Sequence, residues 1–306
     1  MQPIKIGTRG SKLALWQANY VANRLKAAGV PTEIITIETK GDKKLDVAIG
    51  AIGSKGVFTE EIEEQLGMGS IDLAVHSAKD MQSRLPEGFE LLAFTEREVV
   101  NDVLVGHDKQ VKLDNGYDWV IGTSSTRRVA TLRHYYPHIK TIAVRGNLQT
   151  RIRKMEEGQC DAMLLAYAGV HRMQYDDMIL QHMPLDIFTP AVGQGSVAVE
   201  INERLANDKK EIIKKQVNHP ETETRLRAER AYLKTIEGGC SIPAFALAEL
   251  HGKELIINGG IISMDGKQLI RHKERGDFSK AEDMGHRLAE RVLADGGAEI
   301  VAGFKS

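Results

Sequence analysis

Apolar residues recur at Leu13, Trp16, Ala18, Val21 and Leu25, so the spacing predicts a helix from Lys12 to about Ala28 with one buried face. Ile4-Lys-Ile before it and Glu33-Ile-Ile-Thr-Ile-Glu after it read as strands, which makes a first βαβ unit. Thr59 is placed to cap a short helix whose first turn carries Glu60 and Glu61, acids that suit the positive end of a helix. Ile71 to Val75 has the short apolar run of a buried strand, and it leads into His76-Ser-Ala-Lys-Asp80. From about residue 100, strands near 103–106, 119–122, 140–144 and 161–165 alternate with helices near 125–135 and 147–157. That alternation predicts a second α/β unit with a mostly parallel sheet. Val197 to Ile201 adds a strand after the turn Pro190-Ala-Val-Gly-Gln-Gly195. Beyond Asn218-His-Pro220 the pattern changes. A long helix runs to about Ile236, Glu237-Gly-Gly-Cys-Ser-Ile-Pro243 breaks it, and strand-like runs near 245–251, 254–262 and 267–275 precede a helix from about 280 to 294. Hairpinned strands with segregated helices predict a third, smaller α+β domain.

Bulk composition narrows the function classes. A chain of 306 residues holds two or three domains, and 42% hydrophobic with 27% charged residues is ordinary for a globular protein. Aromatic content of 5% and a pI near 6.8 argue against a nucleic-acid binder, which needs stacking platforms or a basic face. Two cysteines, Cys160 and Cys240, cannot form a disulfide framework, so a reducing compartment fits. The start Met1-Gln-Pro-Ile-Lys-Ile does not read as a signal peptide, and no apolar run approaches the ~18 residues of a membrane span. The expectation is a cytoplasmic protein.

Charge is distributed unevenly within a nearly neutral total of 41 Lys+Arg against 42 Asp+Glu. Between Trp119 and Met155 stand Arg127, Arg128, Arg133, Lys140, Arg145, Arg151, Arg153 and Lys154, with no Asp or Glu. Four of these arginines lie in or near polar turns after apolar runs, Gly122-Thr-Ser-Ser-Thr-Arg-Arg128 and Arg145-Gly-Asn-Leu-Gln-Thr-Arg151. Strand, polar turn, helix points backbone N–H groups and a positive dipole end at an anion, and arginine adds a donor fork that fits carboxylate or phosphate. Arg9 occupies the equivalent turn of the first unit. The bland alternative is a solvated basic face.

Other residues leave two readings open. Asp80, at the end of a buried strand, is a candidate acid, base or cation stabiliser, or else a turn or helix-cap aspartate. His76 reads more readily as a hydrogen-bonded structural histidine than as a base. Lys79 pairs with a ligand carboxylate or is simply exposed. Cys160, in an apolar stretch, is expected to be a small buried hydrophobe. Cys240 follows two glycines and precedes Pro243, which makes it an accessible nucleophile or an attachment point. The segment bracketed by Gly50, Gly53 and Gly56, with Lys55, is a lid or an ordinary flexible loop.

Taken together, the chain resembles the porphobilinogen deaminase (hydroxymethylbilane synthase) family over nearly its whole length. The resemblance rests on seven motifs in order: Gly7-Thr-Arg-Gly-Ser-Lys-Leu-Ala-Leu-Trp-Gln, Lys40-Gly-Asp, His76-Ser-Ala-Lys-Asp, Gly122-Thr-Ser-Ser-Thr-Arg-Arg, Arg145-Gly-Asn, Pro190-Ala-Val-Gly-Gln-Gly and Glu237-Gly-Gly-Cys-Ser-Ile-Pro. It implies two periplasmic-binding-protein-like α/β domains with a central cleft, plus a smaller α+β C-terminal domain. The expected boundaries are 1–98 with 195–216 for the first, 99–194 for the second and 217–306 for the third. It further implies a dipyrromethane cofactor on Cys240 through a thioether, onto which four porphobilinogen molecules are joined with loss of ammonia before water releases the linear tetrapyrrole hydroxymethylbilane.

By resemblance Asp80 is the catalytic residue, hydrogen-bonding the pyrrole N–H groups, assisting amine departure and stabilising the azafulvenium cation that remains. Arg9, Ser11, Lys55, Ser77, Lys79, Thr123, Ser124, Ser125, Arg127, Arg128, Arg145, Gly146, Arg151, Arg172 and Gln194 bind cofactor and substrate, whose acetate and propionate groups suit arginine. No metal, nucleic acid or membrane partner is expected, and the family suggests a monomer. The chain departs from the family's usual pattern at Ala78, where Met is frequent, and at Gln82, where Pro is common; Thr126, Ser196 and Ser241-Ile242 are also less usual. Loss of that proline is expected to loosen the turn after Asp80. The rival reading is a non-catalytic anion receptor of periplasmic-binding-protein type, which needs neither Cys240 on a glycine loop nor Asp80.

Overall fold

The computed structural model describes residues 2–40, 59–114, 116–238 and 242–304. In chain order, the first stretch holds β1 (Ile4–Thr8), α1 (Lys12–Ala27), β2 (Thr32–Thr36), α2 (Glu60–Gly67), β3 (Leu73–Ser77) and β4 (Phe89–Phe94). The second holds β5 (Asp102–Val105), β6 (Val120–Gly122), α3 (Thr126–Tyr135), β7 (Lys140–Ile142), α4 (Leu148–Glu156), β8 (Ala162–Ala166), α5 (Tyr167–Arg172) and β9 (Ile179–His182). Then follow β10 (Val197–Asn202), α6 (Asn207–Val217), α7 (Pro220–Thr235), β11 (Ala244–His251), β12 (Glu254–Ile262), β13 (Leu269–Asp277), α8 (Ala281–Val292) and α9 (Ala298–Ala302).

Two compact units result, Met1–Glu98 with Gly195–Glu223, and Val99–Gln194 with Thr224–Ser306. The first unit is built on a five-stranded sheet of order β2-β1-β3-β10-β4. β1 runs parallel to β2 and β3, while β10 is antiparallel to both β3 and β4. Helical spacing on α1 puts Val21, Ala22 and Leu25 against Ile4, Ile6, Leu73 and Val199, together with Ile213 and Val217 of α6. On α2, Ile62 and Leu66 pack with Ile71 and Ala74. Each such fully buried aliphatic side chain contributes ~1.5–3 kcal/mol.

The second unit contains a sheet of order β7-β6-β8-β5-β9 with the same scheme: β6 parallel to β7 and β8, β5 antiparallel to β8 and β9. Alternation along β5 and β8 divides the side chains between two cores. Leu104, Ala162 and Leu164 meet Leu132 of α3 and Phe188, and Val103, Val105, Met163 and Leu165 meet Ile152 and Met155 of α4. A three-stranded antiparallel sheet, β11-β12-β13, completes this unit. Its inner face packs on Ala228 and Tyr232 of α7 and on Met284, Leu288 and Val292 of α8. The turn between β12 and β13 reaches α3, where Arg133 donates to the Met264 carbonyl at 2.6 Å and the His134 ring contacts the Gly266 carbonyl at 2.6 Å.

The expected elements appear near their predicted positions, and β4, β9, α5, α6 and α9 are additional to them; the sheet of the second unit is half antiparallel rather than mostly parallel, because β5 runs against both β8 and β9. Phe89–Phe94 and Ile179–His182 are strands, each at the edge of its sheet beside the antiparallel member. Thr59 does precede α2, but its side chain does not cap it; the Thr59 hydroxyl instead accepts from Gln82 Nε2 at 3.1 Å. Among the described residues no helix is long and apolar enough to cross a membrane.

Candidate functional site

Each unit carries its candidate residues where neighbouring parallel strands end. In the first unit β1 leads into Arg9 and Ser11, and the adjacent β3 leads through Ser77 into a 3-10 turn, Ala78–Asp80. Ser11 caps α1 by accepting from the Ala14 N–H at 3.3 Å. Gln17 of α1 donates to the Ser77 hydroxyl at 2.8 Å, which ties the two strand ends together. Arg9, Ser77 and Lys79 are half-buried, and Asp80 is exposed as the last residue of the 3-10 turn, where it caps no α-helix.

The turn after Asp80 is fastened despite the missing proline. Gln82 Nε2 donates to Thr59 Oγ1 and to Glu63 Oε1 at 3.2 Å, so side-chain bonds replace the restriction a proline ring would impose. Burial, reinforced by the nearby Glu200 charge, raises the Glu63 pKa against a lowering hydrogen bond from Thr59. His76 is buried near the end of β3. Its Nε2 lies 3.0 Å from the fully buried Glu200 carboxylate, an ion pair when the ring is protonated, as the structural reading expects.

In the second unit three adjacent parallel strands, β7, β6 and β8, deliver candidates at the same end. β6 leads into Thr123, Ser124 and Ser125, the last capping α3 through the Arg128 N–H. β7 leads to Arg145, Gly146 and Asn147, which caps α4 through the Thr150 N–H at 2.9 Å. The two turns are joined, since Ser124 Oγ donates to the Val144 carbonyl at 2.8 Å. Gly146 has φ +114°, a region closed to other residues without strain, and Arg151 Nε fixes the turn by donating to its carbonyl at 2.8 Å. Arg172 ends α5, the helix that follows β8. Neither α3 nor α4, nor α1 in the first unit, carries an acid in its first turn, so their positive ends are not neutralised from within.

The arginine pair holds the sharpest surprise. Arg127 and Arg128 are 4% and 6% exposed, and both point at Asp102, which is fully buried at the start of β5. Arg127 Nη2 donates to Asp102 Oδ2 at 2.8 Å and Arg128 Nη2 to Oδ1 at 2.7 Å. Further donors reach the carbonyls of Thr189 at 2.9 Å and Leu164 at 3.0 Å. Gln194 Nε2 completes the cluster on Asp102 Oδ1 at 2.9 Å and also donates to the Val100 carbonyl at 2.7 Å. Burial alone would raise the Asp102 pKa, but the two guanidinium charges and these hydrogen bonds outweigh it and hold the carboxylate far below the usual aspartate range. The acid-free arginine segment is therefore partly answered by a carboxylate from outside it. The balance is incomplete: among the described residues one carboxylate faces two guanidinium groups, and both Nε–H groups are buried without a hydrogen-bond partner.

Because the folded-state pKa of Asp102 is depressed, its contribution to stability is complete above the unfolded value near 3.9 and fades as pH falls through and below it. Asp102→Asn should cost about 3–5 kcal/mol at pH 7 by breaking a buried pair, and the gap from wild type should narrow below about pH 4. Urea unfolding of both proteins at the two pH values measures this; an equal gap at both would contradict it.

Cys160 is buried at 6% exposure, and burial raises its thiol pKa, the inert role expected of it. Lys55, the Gly50–Gly56 segment and Cys240 lie outside the described residues. Comparison with known proteins adds a direct result. Residues 4–212 match the family described as "Porphobilinogen deaminase, dipyromethane cofactor binding domain", and residues 223–294 match "Porphobilinogen deaminase, C-terminal domain".

The chain belongs to the porphobilinogen deaminase family.

Porphobilinogen deaminases of Desulfosudis oleivorans and Cytophaga hutchinsonii are 55% and 54% identical to it, covering 98% and 99% of this chain and 97% of each of those proteins. The porphobilinogen deaminase of Syntrophomonas wolfei is 44% identical over 98% of both chains. Among solved structures, a periplasmic substrate-binding protein of an ABC transporter from Coxiella burnetii aligns with 72% of this chain and 94% of that one, at 11% identity and a TM-score of 0.44. A likeness that faint carries no argument about ligands. Family membership makes the expected chemistry enzymatic, a transferase reaction of tetrapyrrole synthesis, and assigns the region that holds Asp80 and the arginine turns to dipyrromethane binding.

Proposed function

We propose that this protein is a hydroxymethylbilane synthase. It joins four porphobilinogen molecules, with loss of one ammonia each, onto a dipyrromethane primer held by Cys240, then releases the linear tetrapyrrole with water. The observation that carries this reading is the buried Arg127–Arg128 pair with one shared carboxylate. Two guanidinium groups, nine-tenths buried and half-neutralised, suit a ligand that brings its own carboxylates, and acetate- and propionate-bearing pyrroles do so. A surface ion pair would contribute only about 0–1 kcal/mol, whereas charge-assisted hydrogen bonds shielded from water contribute ~1.5–3 kcal/mol each.

The dipyrromethane group, when bound, supplies the nucleophilic pyrrole carbon to which the first substrate is joined. The chain's own residues do the rest. Arg127, Arg128, Arg145, Arg151 and Arg172, with Ser124, Ser125 and the Gly146 turn, hold carboxylates from the second unit, and Arg9, Ser11, Ser77 and Lys79 do so from the first. Lys55 is assigned to the same task. Asp80 accepts hydrogen bonds from pyrrole N–H groups at its carboxylate, keeps positive charge on the reacting ring tolerable, and passes a proton toward the departing amine. Residues 217–306 form the domain that carries Cys240. The protein is taken to act as a cytoplasmic monomer, with no nucleic acid, membrane or metal partner.

Incubation of the purified protein with porphobilinogen tests the reading. Four ammonia should appear per linear tetrapyrrole released. Porphobilinogen bound without ammonia would favour the receptor alternative and reject catalysis.

A further inference from the structure

The turn Pro190–Gly195 is held from the C-terminal part of the second unit by one carboxylate. Glu229, on α7, is fully buried. Its Oε2 accepts from the Gly193 N–H at 2.9 Å, and its Oε1 accepts from the Ala248 N–H of β11 at 2.9 Å. The same turn is anchored a second way, since Val192 is buried among Ala228, Tyr232, Ala246 and Ala248. Gly193 sits at φ +76°, so the N–H that Glu229 grips belongs to a left-handed backbone conformation that favours glycine. The next residue, Gln194, places its side-chain amide on Asp102 and on the Val100 carbonyl, and Asp102 holds Arg127 and Arg128. α7 and β11 are also the two elements that flank Cys240 in the chain.

We propose that Glu229 is a positioning residue for substrate binding. By clamping Gly193 it sets Gln194, through Gln194 it orients Asp102, and through Asp102 it fixes the directions of the two guanidinium groups. A carboxylate is suited to the task because both of its oxygens accept, so one side chain serves two backbone donors from different elements. Glutamine offers one accepting oxygen and turns an N–H group toward the other donor. Aspartate is a methylene too short to span both. The chain of contacts thus couples the framework on either side of Cys240 to the carboxylate-holding arginines.

The inference rests on the porphobilinogen reading above, and the test separates the two. Glu229→Gln and Glu229→Asp are compared with wild type and with Tyr232→Phe. The control lies one turn along the same helix and loses only a buried hydrogen bond to the Gly260 carbonyl. All three variants should melt at lower temperature. In the Glu229 variants the KM for porphobilinogen should rise about tenfold, with kcat within about threefold of wild type, the effect of roughly one lost charge-assisted hydrogen bond to substrate. Tyr232→Phe should leave KM unchanged. A Glu229 variant that melts early yet keeps the wild-type KM overturns the proposal while leaving the enzyme assignment intact; a wild-type protein that does not consume porphobilinogen sinks the assignment itself. Should both Glu229 variants fail to fold, amide exchange of the wild-type holoenzyme decides. The Gly193 and Ala248 amides should be protected alike, and a Gly193 amide exchanging at the rate of an unprotected one overturns the clamp.

Discussion

Cys240→Ser is expected to abolish turnover and to remove the covalent pyrrole adduct from the protein. A serine hydroxyl, with a far higher pKa than a thiol, is not a nucleophile without an activating base, so the thioether does not form. The loss is disproportionate to the chemical change because the tether does more than hold a group. It converts each condensation into a reaction between neighbours, and effective molarities for well-oriented partners reach about 10⁵–10⁸ M. Free dipyrromethane in millimolar amounts therefore cannot restore the rate. Folding should be little affected, since the core of the C-terminal sheet is built by Tyr232, Leu255, Ile257, Leu288 and Val292. Turnover by the serine variant at more than about a hundredth of the wild-type rate would refute covalent priming.

Asp80→Asn carries the second large effect. The substitution keeps size and one accepting oxygen but removes the charge and the proton-carrying capacity of an exposed carboxylate at the end of β3. Loss of a positioned acid–base group is expected to slow the chemical step by about 10²–10⁴-fold. Because the arginines are untouched, KM should change little, and the adduct on Cys240 should still assemble, slowly. Stability should not fall, because the side chain is exposed and Gln82 fastens the following turn independently. Rapid-quench measurement of single additions separates these outcomes. A rate within threefold of wild type would remove Asp80 from the reaction, and a large rise in KM with normal kcat would recast it as a binding group.

Much of this was legible before any coordinate. Helical and alternating periodicity located α1, α3, α4 and the strands they flank, because those patterns are local. The arginine turns and the Asp80 strand end were visible as strand–turn–helix signals. What local pattern could not show was pairing across distance. Asp102 sits in Asn-Asp-Val-Leu-Val, and Glu200 in Val-Ala-Val-Glu-Ile, each a lone acid in an apolar strand. An ionised group in such a run must find a partner, so the signal was present. The partners are 25 and 26 residues from Asp102 and far along the chain from Glu200, and only the fold names them. Glu229 hid more completely, since an acid on a long helix reads as surface. β4 and β9 were missed because edge strands with mixed burial lack a clear alternation. Gln82 showed the converse: an unusual residue whose compensation lies in Thr59, just before α2, and in Glu63 of that helix.

The central claim is a covalent primer on Cys240, and intact mass spectrometry of the freshly purified wild-type protein tests it most directly. The mass should exceed that of the 306-residue chain, 33.8 kDa, by two linked pyrrole units, and further pyrrole units should appear after brief exposure to porphobilinogen. A mass equal to the bare chain, unchanged by porphobilinogen, would contradict it.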